Sequence, residues 1–154
     1  MNKTLHYLGL DVHKDSIAVS IAPQGTTEVR RYGLIGGSLD AVDKLLRKLT
    51  ADGVELRVVY EAGPCGFVIC RHLRAKGIAC EVVAPSLIPR KASDKVKTDR
   101  RDADPLARLF RAGELTPIHV PDQEDEAVRD LIRARHSATD DLRQDRHRLK
   151  GFRS

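Results

Sequence analysis

Tryptophan is absent from the chain, and aromatic residues make up only 4% of it. That argues against the stacked aromatic platform with which single-strand binders hold successive bases. Cysteine is nearly as scarce. Cys65, Cys70 and Cys80 form no CxxC pair and meet no matching histidine spacing, so no zinc site is expected. An odd cysteine count without a secretory leader suits a reducing cytosol. No apolar run approaches the roughly 20 residues that cross a bilayer. The expectation is a soluble, cytoplasmic protein with no membrane partner.

What the chain does have is charge. Of its 154 residues, 41% are hydrophobic and 32% charged, enough for one buried core beneath a heavily charged surface. The formal net charge is +5 and the pI about 9.3. That modest basic excess is compatible with nucleic acid as a partner, although basicity alone is weak evidence.

Periodicity changes along the chain. "LHYLGLDV" reads as a mostly buried strand ending near Asp11, "HKDS" as a turn, and "SIAVSIA" as a second strand. "TEVRRYGL" reads as a third, edge-like strand, completing an antiparallel meander. In "SLDAVDKLLRKLTADG", Leu39, Val42, Leu45, Leu46 and Leu49 fall on one helical face, with Ser38 as N-cap and Gly53 as stop. "VELRVVYEA" is a strand ending at Glu61, "GPCG" a turn, and "FVICRHLRAKG" a short helix. "IACEVVAP" is a fifth strand, closed by Pro85. This order predicts an α/β fold, a mixed five-stranded sheet flanked by helices. Beyond Pro121 a long helix is expected, with Val128, Leu131, Arg135, Ala138, Leu142, Asp145 and Leu149 on an imperfect heptad seam. The expected division is a domain over 1–121 and a helix over 122–154, serving self-association or as a linker to a further domain.

The stretch "KVKTDRRDADPLARL" interleaves Asp99, Asp102 and Asp104 with Lys95, Lys97, Arg100 and Arg101. A solvated charged helix start would explain it through capping and the macrodipole. The alternative is a metal site. Asp11 and Glu61 end the first and fourth strands, and neighbouring strands would bring them to one sheet edge, where such sheets bind ligands. Asp99 and Asp102 stand three residues apart. Four converging carboxylates repel unless cations neutralise them. Mg²⁺, or Mn²⁺, suits oxygen donors, and two ions roughly 4 Å apart can activate a nucleophile and stabilise a leaving oxygen on phosphorus.

"YLGLDVHKDSIAVSIA", "VVYEAGPCGF", "CEVVAPSLIPRK" and "KVKTDRRDA" resemble the N-terminal domain of the DEDD-type insertion-sequence transposases numbered one hundred and ten, which are related in fold to the Holliday-junction resolvase RuvC. The resemblance implies a ribonuclease-H-like fold. It implies that Asp11, Glu61, Asp99 and Asp102 are the catalytic acids and hold two Mg²⁺ or Mn²⁺ ions. It also implies DNA strand cleavage and exchange, with DNA and a structured guide RNA as partners. Lys91, Lys95, Lys97, Arg100 and Arg101 are then the contacts to the nucleic-acid backbone.

Two departures from that pattern stand out. Pro105 follows Asp104, so the helix is expected to begin only around Asp104, with that residue either a substitute ligand or, as preferred, its N-cap. The family's C-terminal domain with its nucleophilic serine is not expected within these 154 residues, and Ser154 is not expected to be that serine. Competing readings are a non-catalytic, inhibitory or nucleic-acid-binding module, and a stand-alone resolvase-like nuclease. A sugar-kinase-like ATPase half is disfavoured because "DVHKDS" lacks the required glycine. Arg30 and Arg31 are candidate edge-strand gatekeepers. His13 is expected as a turn histidine, His72 has no partner at a recognisable spacing, and Cys70 belongs to the core.

Overall fold

The computed structural model describes residues 3–89 and 103–151, and the side chains of 149–151 are left aside. Asp99, Asp102, Lys91, Lys95, Lys97, Arg100 and Arg101 lie outside the described residues. The chain divides into two compact units, Met1–Val120 and Pro121–Ser154.

In the first unit, strands β1 (Leu5–Val12), β2 (Ser16–Pro23) and β3 (Arg30–Gly36) form the antiparallel meander. Helix α1 (Leu39–Thr50) then crosses to β4 (Glu55–Glu61), and α2 (Val68–Ala75) crosses to β5 (Ala79–Val83). A 3₁₀ turn, Pro85–Leu87, follows, and α3 (Ala103–Ala112) closes the unit. The sheet order is β3-β2-β1-β4-β5, with β4 and β5 parallel to β1. An antiparallel hairpin extended by two parallel crossover strands is the ribonuclease-H-like arrangement.

Each face of the sheet has its own cover. Leu8, Leu10, Val58, Tyr60 and Val82 point to one side, where they pack with Val42, Leu45 and Leu46 of α1 and Ile69, Cys70 and Leu73 of α2. Both helices present an apolar stripe, which is what makes them bury against the sheet. Ser38 caps α1 by accepting from the Ala41 amide at 3.2 Å. Across the seam between these helices, Asp43 of α1 accepts from His72 Nε2 at 2.7 Å and Lys76 Nζ at 2.5 Å. His72 thus has a partner after all, supplied through space. Those two hydrogen bonds hold the Asp43 carboxyl below its ordinary range.

The opposite face carries Leu5, Tyr7, Gly9, Val59 and Val83, covered by Leu106, Ala107 and Phe110 of α3. The Tyr7 and Phe110 rings meet edge to face at 5.4 Å. Gly9 permits this packing. A Cβ there would lie 2.4 Å from the Ala103 carbonyl oxygen and 2.7 Å from the Ala107 nitrogen. The edge of β5 is partly covered, since Val83 bridges Pro117 and the Ile118 amide donates to Val82. β3 forms the other edge, mostly exposed, with a register shift opposite Val19 and Ser20.

The second unit holds α4 (Gln123–Gly151). Asp122 opens it by accepting from the Asp125 amide at 2.8 Å. From Asp122 to Arg148 only Glu126 is half-buried, and Val128, Leu131, Ile132 and Leu142 are exposed. Among the described residues no helix is long and apolar enough to cross a membrane.

Candidate active site

Strand alternation decides which carboxylates meet. Leu10 registers with Tyr60 across the β1–β4 pair, so the next step along both strands brings Asp11 level with Glu61. Both follow residues committed to the α1–α2 face, and alternation turns both to the face covered by α3. The two strands are parallel, so these are their carboxyl ends. Neighbouring strands stand about 4.8 Å apart, which places the two backbones within reach of one cation.

The same row continues across the sheet. Asp11 registers with Ala18 of β2, and Ala18 with Leu34 of β3. Asp11 is well enclosed, its side chain only 13% exposed. His13, two residues further and on the same side, brings Nε2 to 3.0 Å from Asp11 Oδ2. His13 is therefore part of the carboxylate environment and more than a turn residue. The legible signal was the spacing: Gly9, Asp11 and His13 share one face at period two.

The start of α3 is fixed by Asp104, and here the expectation is corrected. Asp104 is not the N-cap. It lies within the first turn, where Pro105 is also tolerated because the first-turn amides need no intrahelical acceptor. Its carboxylate accepts from the hydroxyl of Ser20, the buried polar residue of β2, and from Arg31 Nε of β3 at 2.8 Å. The side chain thus ties α3 to two strands and is committed away from any ligand role. Arg31, expected as an edge gatekeeper, is the outer half of that tie. At the far end Arg111 donates to the carbonyls of Pro23 at 3.3 Å and Glu28 at 2.5 Å.

Beyond the first turn of α3 lies an open groove of about 520 Å³. Asp11 and His13 stand at one side, Ala18 and Gly33 line it, and Arg31 and Leu34 stand at the other. Hard oxygen donors at adjacent strand ends fit a Mg²⁺ or Mn²⁺ ion in kind. The described residues bring together no cluster of three or more ligating side chains. Asp11 and Glu61 are the two candidates the structure places, while Asp99 and Asp102 lie outside its description.

Comparisons with known proteins identify the family. Residues 8–152 match a family model described as transposase, the DEDD type of IS110 elements. The transposase-type protein y4qE of Sinorhizobium fredii is 47% identical over 147 residues, covering 95% of this chain and 38% of that protein. The transposase for insertion sequence element IS1533 of Leptospira borgpetersenii is 39% identical, covering 95% of this chain and 42% of the relative. The chain therefore spans about two-fifths of the length of these relatives. Among solved structures, T. thermophilus RuvC in complex with a Holliday junction substrate aligns at 10% identity with a TM-score of 0.45, covering 74% of this chain and 99% of that one. The large terminase nuclease of thermophilic phage G20c aligns at 21% identity with a TM-score of 0.42, covering 72% and 56%. With its family model matched over nearly its whole length, the chain belongs to the DEDD transposases of the IS110 type.

Proposed function

We propose that this chain is the metal-binding domain of a transposase that moves an insertion sequence by cleaving and exchanging DNA strands. The observation that carries the reading is the level placement of Asp11 and Glu61 at the carboxyl ends of adjacent parallel strands, beside the docked start of α3. Asp11, Glu61, Asp99 and Asp102 together hold two Mg²⁺ or Mn²⁺ ions. Bound there, divalent cations neutralise the carboxylates, polarise a phosphodiester and lower the pKa of a bound water.

The chain's own residues prepare the site. His13 orients the Asp11 carboxylate through its 3.0 Å contact. Gly9 and Asp104 hold the first turn of α3 against the sheet beside Asp11. Lys91, Lys95, Lys97, Arg100 and Arg101 neutralise backbone phosphates of DNA and of a structured guide RNA, a contribution that weakens with salt. The exposed apolar residues of α4 join two copies of the chain.

Calorimetric titration with Mn²⁺ tests the centre. The wild-type chain is expected to bind, and Asp11→Asn and Glu61→Gln to lose most of the affinity while melting like wild type. Equal binding by all three proteins refutes the assignment. For α4, sedimentation of Leu131→Asp should show less self-association than wild type, and an unchanged profile removes that helix as the contact.

A further inference from the structure

We propose that the groove over β2 and β3 receives the nucleoside adjoining the scissile phosphate of a DNA strand, with Leu34 as the apolar wall against its base. The inference rests on reading Asp11 and Glu61 as the centre that holds the phosphate.

The argument begins with the row Asp11–Ala18–Leu34, which runs across the sheet from that centre to the β3 edge. At about 4.8 Å per strand, Leu34 stands about 10 Å from Asp11, roughly one nucleotide away. Between them the floor is made of small groups, Ala18 and Gly33, and Ala103 of α3 forms part of the wall. The volume of about 520 Å³ falls within the ~300–1,000 Å³ typical of small-ligand sites.

Hydrogen-bonding groups flank the occupant. His13 stands beside Asp11 at one side, and Arg31 flanks the other. Arg31 is held through Nε by Asp104 yet remains about half exposed, so its guanidinium is fixed in place with donors to spare. An anionic sugar-phosphate backbone leaving the centre meets the remaining N–H donors of the Arg31 guanidinium. Leu34 is the unexpected residue: it is 73% exposed on an edge strand, where exposed apolar side chains invite unwanted strand pairing. A base lying against it covers that surface. The scarcity of aromatic rings agrees with a pocket for one nucleoside in place of a stacking platform.

The test follows a fluorescein-labelled single-stranded DNA oligonucleotide by anisotropy, with Mn²⁺ and with EDTA. The proteins are the wild-type chain, Leu34→Ala and Leu34→Tyr, each checked by thermal melting. Leu34→Ala should weaken binding about fivefold and Leu34→Tyr tighten it by a similar factor, since a ring stacks better on a base. The salt slope should stay constant, because no phosphate contact changes. Three affinities within about twofold of one another, or no DNA binding by the wild-type chain, overturn the proposal. Mn²⁺ titration of the wild-type chain and of Asp11→Asn separates the two readings. A flat Leu34 series with intact metal binding overturns the groove alone. A graded series in EDTA without metal binding overturns the metal centre, and with it the scissile phosphate beside the groove, while Leu34 keeps its place against a base.

Discussion

Replacing Gly9 with alanine tests how the site is assembled. The added Cβ would meet the Ala103 carbonyl oxygen at 2.4 Å and the Ala107 nitrogen at 2.7 Å, whereas ordinary contact begins near 3.4 Å. Both neighbours are backbone, so neither can rotate away. The first turn of α3 must retreat by about 1.0 Å (3.4 minus 2.4). A gap of 0.5–1 Å already forfeits about a quarter to a half of the dispersion energy at the surfaces it separates. Those surfaces include buried Ala103, Leu106 and Ala107. Overpacking of this kind costs about 3 kcal/mol at the upper end of the usual range. Alanine returns about 0.5–1 kcal/mol by restricting the unfolded chain. The net loss is about 2 kcal/mol, equivalent to a fall in Tm of roughly 6–10 °C for a unit of this size. Thermal melting by circular dichroism measures it, and on the proposed reading of the site Mn²⁺ affinity should fall in parallel, because Gly9 stands two residues before Asp11 on the same strand face. A Tm within about 1 °C of wild type would refute the packing argument.

Three further outcomes follow from the same contacts. Asp104→Ala leaves the buried Ser20 hydroxyl without its acceptor and should cost about 1–3 kcal/mol in urea unfolding, with Ser20→Ala in the same chain recovering part of it. Tyr60→Phe removes the hydroxyl that donates to the Gly66 carbonyl at 3.1 Å and accepts from the Cys70 amide at 3.2 Å, and should cost about 1–3 kcal/mol in the same assay. His6 titrates below its ordinary 6.5, through burial first and the Arg30 cation second. The unfolded chain therefore takes up a proton that the fold resists. Stability should hold above pH 6.5 and decline as pH falls from there through the lower folded value. His6→Gln should flatten that part of the profile, and an unchanged slope would assign the decline to other groups.

Much of the fold was legible because its signals are local. The alternation of Ile17, Val19 and Ile21 and the helical stripe of Val42, Leu45 and Leu46 follow from the geometry of neighbouring residues. So does the Ser38 cap, which needs only three residues to form. The third strand starts at Arg30, three residues later than the alternation in "TEVRRYGL" suggests, because pairing with β2 and not propensity sets its limit.

The sequence by itself determined that Asp11 and Glu61 would each lie at the end of a strand, since polar and turn residues follow within two positions. It also carried the family, through "YEAG" and "KTDRRDA". Only the tertiary structure decided that those strands are neighbours in parallel register, because the intervening residues 13–54 fix no register until β4 has packed beside β1. It alone decided that Asp104 turns to Ser20 and Arg31, partners 84 and 73 residues away, and that His72 finds Asp43. Such contacts leave no periodic trace, because the distance between their partners is set by how helices and strands pack, and any spacing along the chain serves equally well.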